Sequence, residues 1–118
     1  MSKSYITLDK DGGYYAGTDP VLTLRNFTDI DENKLKVFYY ITDETTGNAT
    51  ELEKDSGYSF DGTNNTVTIK SYAVLGANSL DEDKNYTIRV VSDDDEAVVK
   101  LKYKKDKKIT PSTGTETF

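Results

Sequence analysis

The chain contains no cysteine, no histidine and no tryptophan, and it has only two prolines and one methionine in 118 residues. Without Cys there is no disulfide framework, and the redox compartment is not written in bridges. Without His or Cys, Ser-His-Asp and Cys-His nucleophile systems are ruled out, as are zinc sites built on imidazole or thiolate. Long apolar runs are missing too, so nothing reads as a signal peptide or a membrane span. No glycine-rich phosphate loop follows a strand and opens a helix. Carboxylates abound, but a glycosidase pair needs a cleft that a small domain rarely holds. The expectation is a chain that is not an enzyme and carries no cofactor.

Positive charge is scarce in most of the sequence. Acidic residues outnumber basic ones 21 to 15, for a net charge of −6. Six of the basic side chains are lysines beyond residue 97, so the body before them is strongly acidic. Such a body repels phosphate backbones, and nucleic acid is not an expected partner. The lysines between 100 and 108 read as the solvated side of a last strand and its exit. Hydrophobic residues make up 35% of the chain, but nine Tyr and four Phe supply the packing surface of a core. At this length one domain is expected, burying about two-thirds of its unfolded surface. Four glycosylation-type sequons, at Asn26, Asn48, Asn64 and Asn85, follow from a composition rich in Asn and Thr.

What is present repeats every two residues and is punctuated by turn residues. Tyr5-Ile6-Thr7-Leu8 reads as a first strand, ended by Asp11-Gly12-Gly13. Residues 21–25 form a second strand behind Pro20, which is tolerated at a strand entrance. Leu35 to Thr42 is the longest β-rich run, turning at Thr46-Gly47-Asn48 into Thr50 to Glu53. After Asp55-Ser56-Gly57, the strands 58–60 and 66–70 flank a loop with Gly62, Asn64 and Asn65, where positive φ is available. Residues 71–79 have room for a single helical turn. Asn85 to Ser92 and Ala97 to Lys104 form a last pair across the acidic turn 93–96. The expected fold is all-β, an immunoglobulin-like β-sandwich of seven or eight antiparallel strands over residues 1–108. Residues 109–118 have the Thr/Ser/Pro composition of a linker or tail.

Leu80 lies six residues before Tyr86, and Ile88 and Val90 alternate on the same side. This resembles the tyrosine corner of fibronectin type III and related sandwiches, in which a Tyr hydroxyl reaches back to a carbonyl at the crossing between sheets. Leu22 or Leu24 stands where that family has a Trp. A second resemblance covers residues 52–103. Leu52, Gly57-Tyr58, the run Asn65-Thr66-Val67-Thr68-Ile69, Tyr72 and Leu75 are similar to the Ig-like X accessory modules of cellulosomal scaffolding proteins. That likeness implies a spacer or accessory module of a bacterial surface protein, with weak polysaccharide or cell-wall binding.

Two acidic segments match the first half of a calcium-binding EF-hand loop: Asp29-x-Asp31-x-Asn33 and Asp81-x-Asp83-x-Asn85. That loop needs Gly at its sixth position and Glu at its twelfth. Here those places hold Lys34 and Tyr40, or Tyr86 and Ser92, so no metal is assigned.

One surface stands out as a binding candidate. With Leu35, Val37, Tyr39 and Ile41 turned to the core, Phe38 and Tyr40 point outward. On the neighbouring strands Arg89, Lys100 and Lys102 point the same way. Aromatic rings can stack on sugar faces, and Arg and Lys can donate to hydroxyls or anions. The same five residues also serve simply to stabilise a sheet face. The leading expectation is a monomeric structural or spacer module, extracellular or at the cell surface, flanked by other domains of its parent. The alternative is binding of polysaccharide or a surface protein through this face.

Overall fold

A computed structural model describes residues 3–42 and 48–106. Among these residues eight strands form two antiparallel sheets of four. The first sheet has the order β1-β2-β6-β5, built from Tyr5–Leu8, Val21–Arg25, Thr66–Ile69 and Tyr58–Asp61. The second has the order β4-β3-β7-β8, built from Thr50–Leu52, Leu35–Ile41, Lys84–Ser92 and Asp95–Tyr103. Lettered A to G with one extra strand C′ between C and D, this is the ABED sheet facing the CFG sheet of an immunoglobulin-like sandwich, β4 being added beside β3. A 3₁₀ turn at Glu32–Lys34 leads into β3, and a five-residue helix α1, Ser71–Leu75, ends on Gly76 at φ 68°. The tail read from composition and the turn at 46–47 lie outside the described residues.

Alternation puts the branched residues of both sheets inside. Leu22, Val67 and Ile69 from one sheet meet Val37, Ile88, Val90 and Leu101 from the other, all essentially without solvent contact. Each such burial is worth about 1.5–3 kcal/mol. Phe38 and Tyr40 do point outward. The inward set of β3 is not uniformly covered. Tyr39 is half-buried and Ile41 is 46% exposed, because the end of β3 borders an open groove where Val74 of α1 is the apolar side chain across from it.

The pin between the sheets differs from the tyrosine-corner expectation. Tyr86 is buried edge-on between Tyr39 and Tyr103, with ring centroids 5.9 and 6.0 Å away, but its hydroxyl has no hydrogen bond among the described residues. Two other phenols do the tying. Tyr58 on β5 donates to the Leu35 carbonyl across the core at 3.3 Å. Tyr103 on β8 shares a 2.8 Å hydrogen bond with Ser71 Oγ, which donates to the Thr18 carbonyl at 2.6 Å. That relay joins the last strand, the helix and the β1–β2 connection.

Glycine is needed at two crossings. After β1 the chain leaves its sheet through Gly12 and Gly13, at φ 79° and 103°, and Tyr14 forms a parallel bridge to Tyr103. Tyr14 N–H donates to the Lys102 carbonyl at 3.0 Å, and its carbonyl accepts from Lys104 N–H at 2.8 Å. A Cβ on Gly13 would sit 3.1 Å from that same Lys102 oxygen. At the passage from β4 to β5, a Cβ on Gly57 would sit 2.9 Å from the Glu53 carbonyl. At Gly57 the Glu53 backbone and the Leu52 Cβ fill the space, while at Gly13 the Lys102 carbonyl shares it with the stems of Lys102 and Lys104.

The last hairpin is tighter than the acidic run suggested. Ser92 faces Asp95, leaving a two-residue loop in which Asp93 takes φ 51°. Asp95 and Glu96 therefore belong to β8.

Candidate functional site

The outer face of the β4-β3-β7-β8 sheet is ordered by its register. One row runs Glu51, Phe38, Arg89, Val98. The next runs Tyr40, Thr87, Lys100. Lys102 lies opposite Asn85, one row further on. All five residues singled out from the sequence thus share one face, but they do not form one cluster.

Phe38 and Arg89 are a direct pair, with the guanidinium carbon 5.8 Å from the ring centroid. The same guanidinium is held from its other side by Glu96, Nε to Oε2 at 2.9 Å. The hydrogen bond from Arg89 holds the Glu96 carboxyl below the usual carboxylate range, and the bond to Glu96 raises Arg89 in turn. Both partners are solvated, so water screens the pair and it adds little to stability. Tyr40 and Lys100 flank Thr87, which is buried and shares a 3.1 Å hydrogen bond with Thr42. Lys100 makes no ion pair among the described residues. Lys102 is drawn towards Asp83, Nζ to Oδ2 at 3.6 Å, at the far end of the sheet.

Glu96 is the residue that sequence reasoning missed. Counted as a turn residue, it has no face. Counted as the second residue of β8, it lies diagonally across from Arg89 and neutralises the cation meant for a ligand. The two-residue reach of Asp93-Asp94 was the available signal.

The acidic segments have local roles. Asp31 accepts from the Asn33 N–H at 2.9 Å and caps the 3₁₀ turn. Asp83 accepts from the Lys105 N–H at 2.8 Å, and that bond keeps its carboxyl below the ordinary range. Among the described residues no group of three or more acidic side chains is placed to hold a metal ion, and no helix is long and apolar enough to cross a membrane.

Open grooves, not enclosed cavities, mark the surface. Two run along the side where β1 and β8 meet. One, of about 760 Å³, lies between residues 3–5 and 94–98, and the other, of about 500 Å³, lies between Gly12-Gly13 and Lys100. Comparison of the chain with protein-family models, with curated proteins and with solved structures finds no match.

Proposed function

We propose that this chain is a non-enzymatic spacer module of a multidomain secreted or cell-surface bacterial protein. The observation that supports it is the placement of the first and last stretches of the described residues. Ser4 Oγ donates to Asp95, the first residue of β8. Beyond the last residue of β8, Lys105 N–H donates to Asp83 and Asp106 N–H donates to the Leu80 carbonyl. Entry and exit are therefore separated by a nine-residue strand, about 30 Å. A module that is entered at one end and left at the other adds its length to a chain of domains. The Thr/Ser/Pro composition after residue 108 suits the same role. So does the pairing of Arg89 with Glu96, which leaves the outer face largely satisfied by its own side chains.

Small-angle scattering on two copies joined head to tail tests the reading. The expected result is an extended particle whose two centres lie about 30–40 Å apart. Two copies folded back on each other would count against it. The second reading, a binding module for polysaccharide or a surface protein, is favoured by the partly exposed Phe38 and Tyr40 beside Lys100, which makes no ion pair among the described residues. A glycan-array or pull-down signal that vanishes in Phe38→Ala with Tyr40→Ala, the fold intact, would replace the spacer by that reading.

A further inference from the structure

A sheet edge left unpaired is a template for another strand, and proteins commonly keep such edges short or covered. Three of the four edges here are short, with four residues in β1, four in β5 and three in β4, while β8 has nine. Among the described residues only Tyr14 bonds to its backbone, at the end, through the Lys102 carbonyl and the Lys104 N–H; β1 runs close beside the rest without a backbone hydrogen bond to it. Backbone groups alternate sides along a strand. Since Lys102 and Lys104 point theirs away from β7, so do Lys100, Val98 and Glu96. None of these three has a backbone partner beyond its own sheet among the described residues. The two grooves beside β1 flank this stretch, and Val98 and Tyr5 are exposed along it, at 54% and 50%.

We propose that the free stretch Glu96–Lys100 pairs antiparallel with the same stretch of a second copy of this chain, about a two-fold axis at Val98. The strand is complementary to itself in that register. With Val98 opposite Val98, Glu96 faces Lys100 of the second copy, and Lys100 faces its Glu96. All three facing pairs are of the hydrogen-bonded kind, since the backbone groups of all three residues point at the edge. Glu96 keeps Arg89 on Oε2, leaving Oε1 for the incoming lysine. A slip of two residues would set Val98 against a charged side chain, so the register is selective. The next pair beyond Lys100 sets Lys102 against Asp94 in the turn, and there Tyr14 closes the edge. A lysine on an edge ordinarily discourages pairing; here it admits one partner, the one that presents a glutamate. The contact is isologous, closes at two copies, and replaces the single-copy expectation drawn from the sequence. It does not rest on the spacer reading, and the scattering test of that reading is run with Lys100→Glu in both copies, so that pairing of the two β8 strands does not fold the tandem back.

Sedimentation velocity of the whole chain up to about 1 mM, a concentration that detects even millimolar affinity, tests the pairing. The wild type is expected to show a concentration-dependent monomer–dimer equilibrium. Lys100→Glu, which places two glutamates against each other twice, is expected to weaken it at least about tenfold. Glu96→Lys does the same, with circular dichroism confirming its fold because it also releases Arg89. An equimolar mixture of the two variants restores both opposite-charge pairs and is expected to recover the dimer. A wild type that stays monomeric throughout, a dimer equally tight in Lys100→Glu, or a mixture no tighter than its components would overturn the proposal.

Discussion

Ser71 has one hydroxyl and two partners, and both serve the same junction. It donates to the Thr18 carbonyl and meets the Tyr103 phenol, which is fully buried. In Tyr103→Phe the ring still fills its place and Ser71 keeps Thr18, so the expected loss is one net hydrogen bond, about 1 kcal/mol. In Ser71→Ala the Thr18 carbonyl and the Tyr103 hydroxyl lose their partner together, and about 2 kcal/mol is expected. Urea unfolding with an unchanged slope reads both values. If Tyr103→Phe costs nothing, the phenol is not part of the tie. Which tyrosine performs this task was not legible in the sequence. Tyr86 and Tyr103 sit on adjacent strands with the same inward phase, and only the approach of α1 decides between them.

The strands themselves were legible because period-two alternation and turn residues agree. Val21–Arg25 and Tyr5–Leu8 start and stop where Pro20, Asp11 and Gly12 say they should. The start of β8 was not, since four consecutive acids hide alternation and resemble a loop. Its cause is one residue: Asp93 adopts φ 51° and lets the chain reverse in two positions. A β-branched side chain there clashes with its own backbone. Asp93→Val is therefore expected to destabilise the hairpin by about 1–2 kcal/mol, beyond the small loss of the exposed pair with Lys34. Thermal unfolding of Asp93→Val beside Asp93→Gly, which accepts the same φ, separates backbone strain from lost charge. Equal melting temperatures for the two would exclude strain. The candidate face was half legible. Alternation fixed which side chains point outward, but the partners that satisfy Arg89 and Lys102 depended on the register between β7 and β8.

For the molecule as a whole, the missing side chains shape the response to pH. With no histidine or cysteine, no side chain titrates between about pH 5 and 9, and stability should be level there. On the acid side Asp83, Asp95 and Glu96 lie below their ordinary values, held by the Lys105 N–H, the Thr28 N–H and Arg89 respectively. The unfolded chain then takes up protons first as pH drops below about 4.5, so stability is lost as pH falls through the lower native values. On the alkaline side burial pushes Tyr103 up to about 12. An unfolded phenol ionises near pH 10, so the native state holds its proton longer and stability declines from about pH 10 upward. Urea midpoints across this range should trace a plateau with two falling limbs, the alkaline one shallower in Tyr103→Phe. A break near pH 7 would contradict the assignment.

The ladder of Tyr39, Tyr86 and Tyr103 makes this domain its own optical reporter. With no indole to dominate absorption or emission, the near-ultraviolet signal comes largely from phenols, and three of these pack edge to face toward one end of one sheet. Their ellipticity follows side-chain packing itself, while the far-ultraviolet spectrum follows the strands. A state that keeps its sheets but loosens its interior would be recognised without any added dye or introduced label.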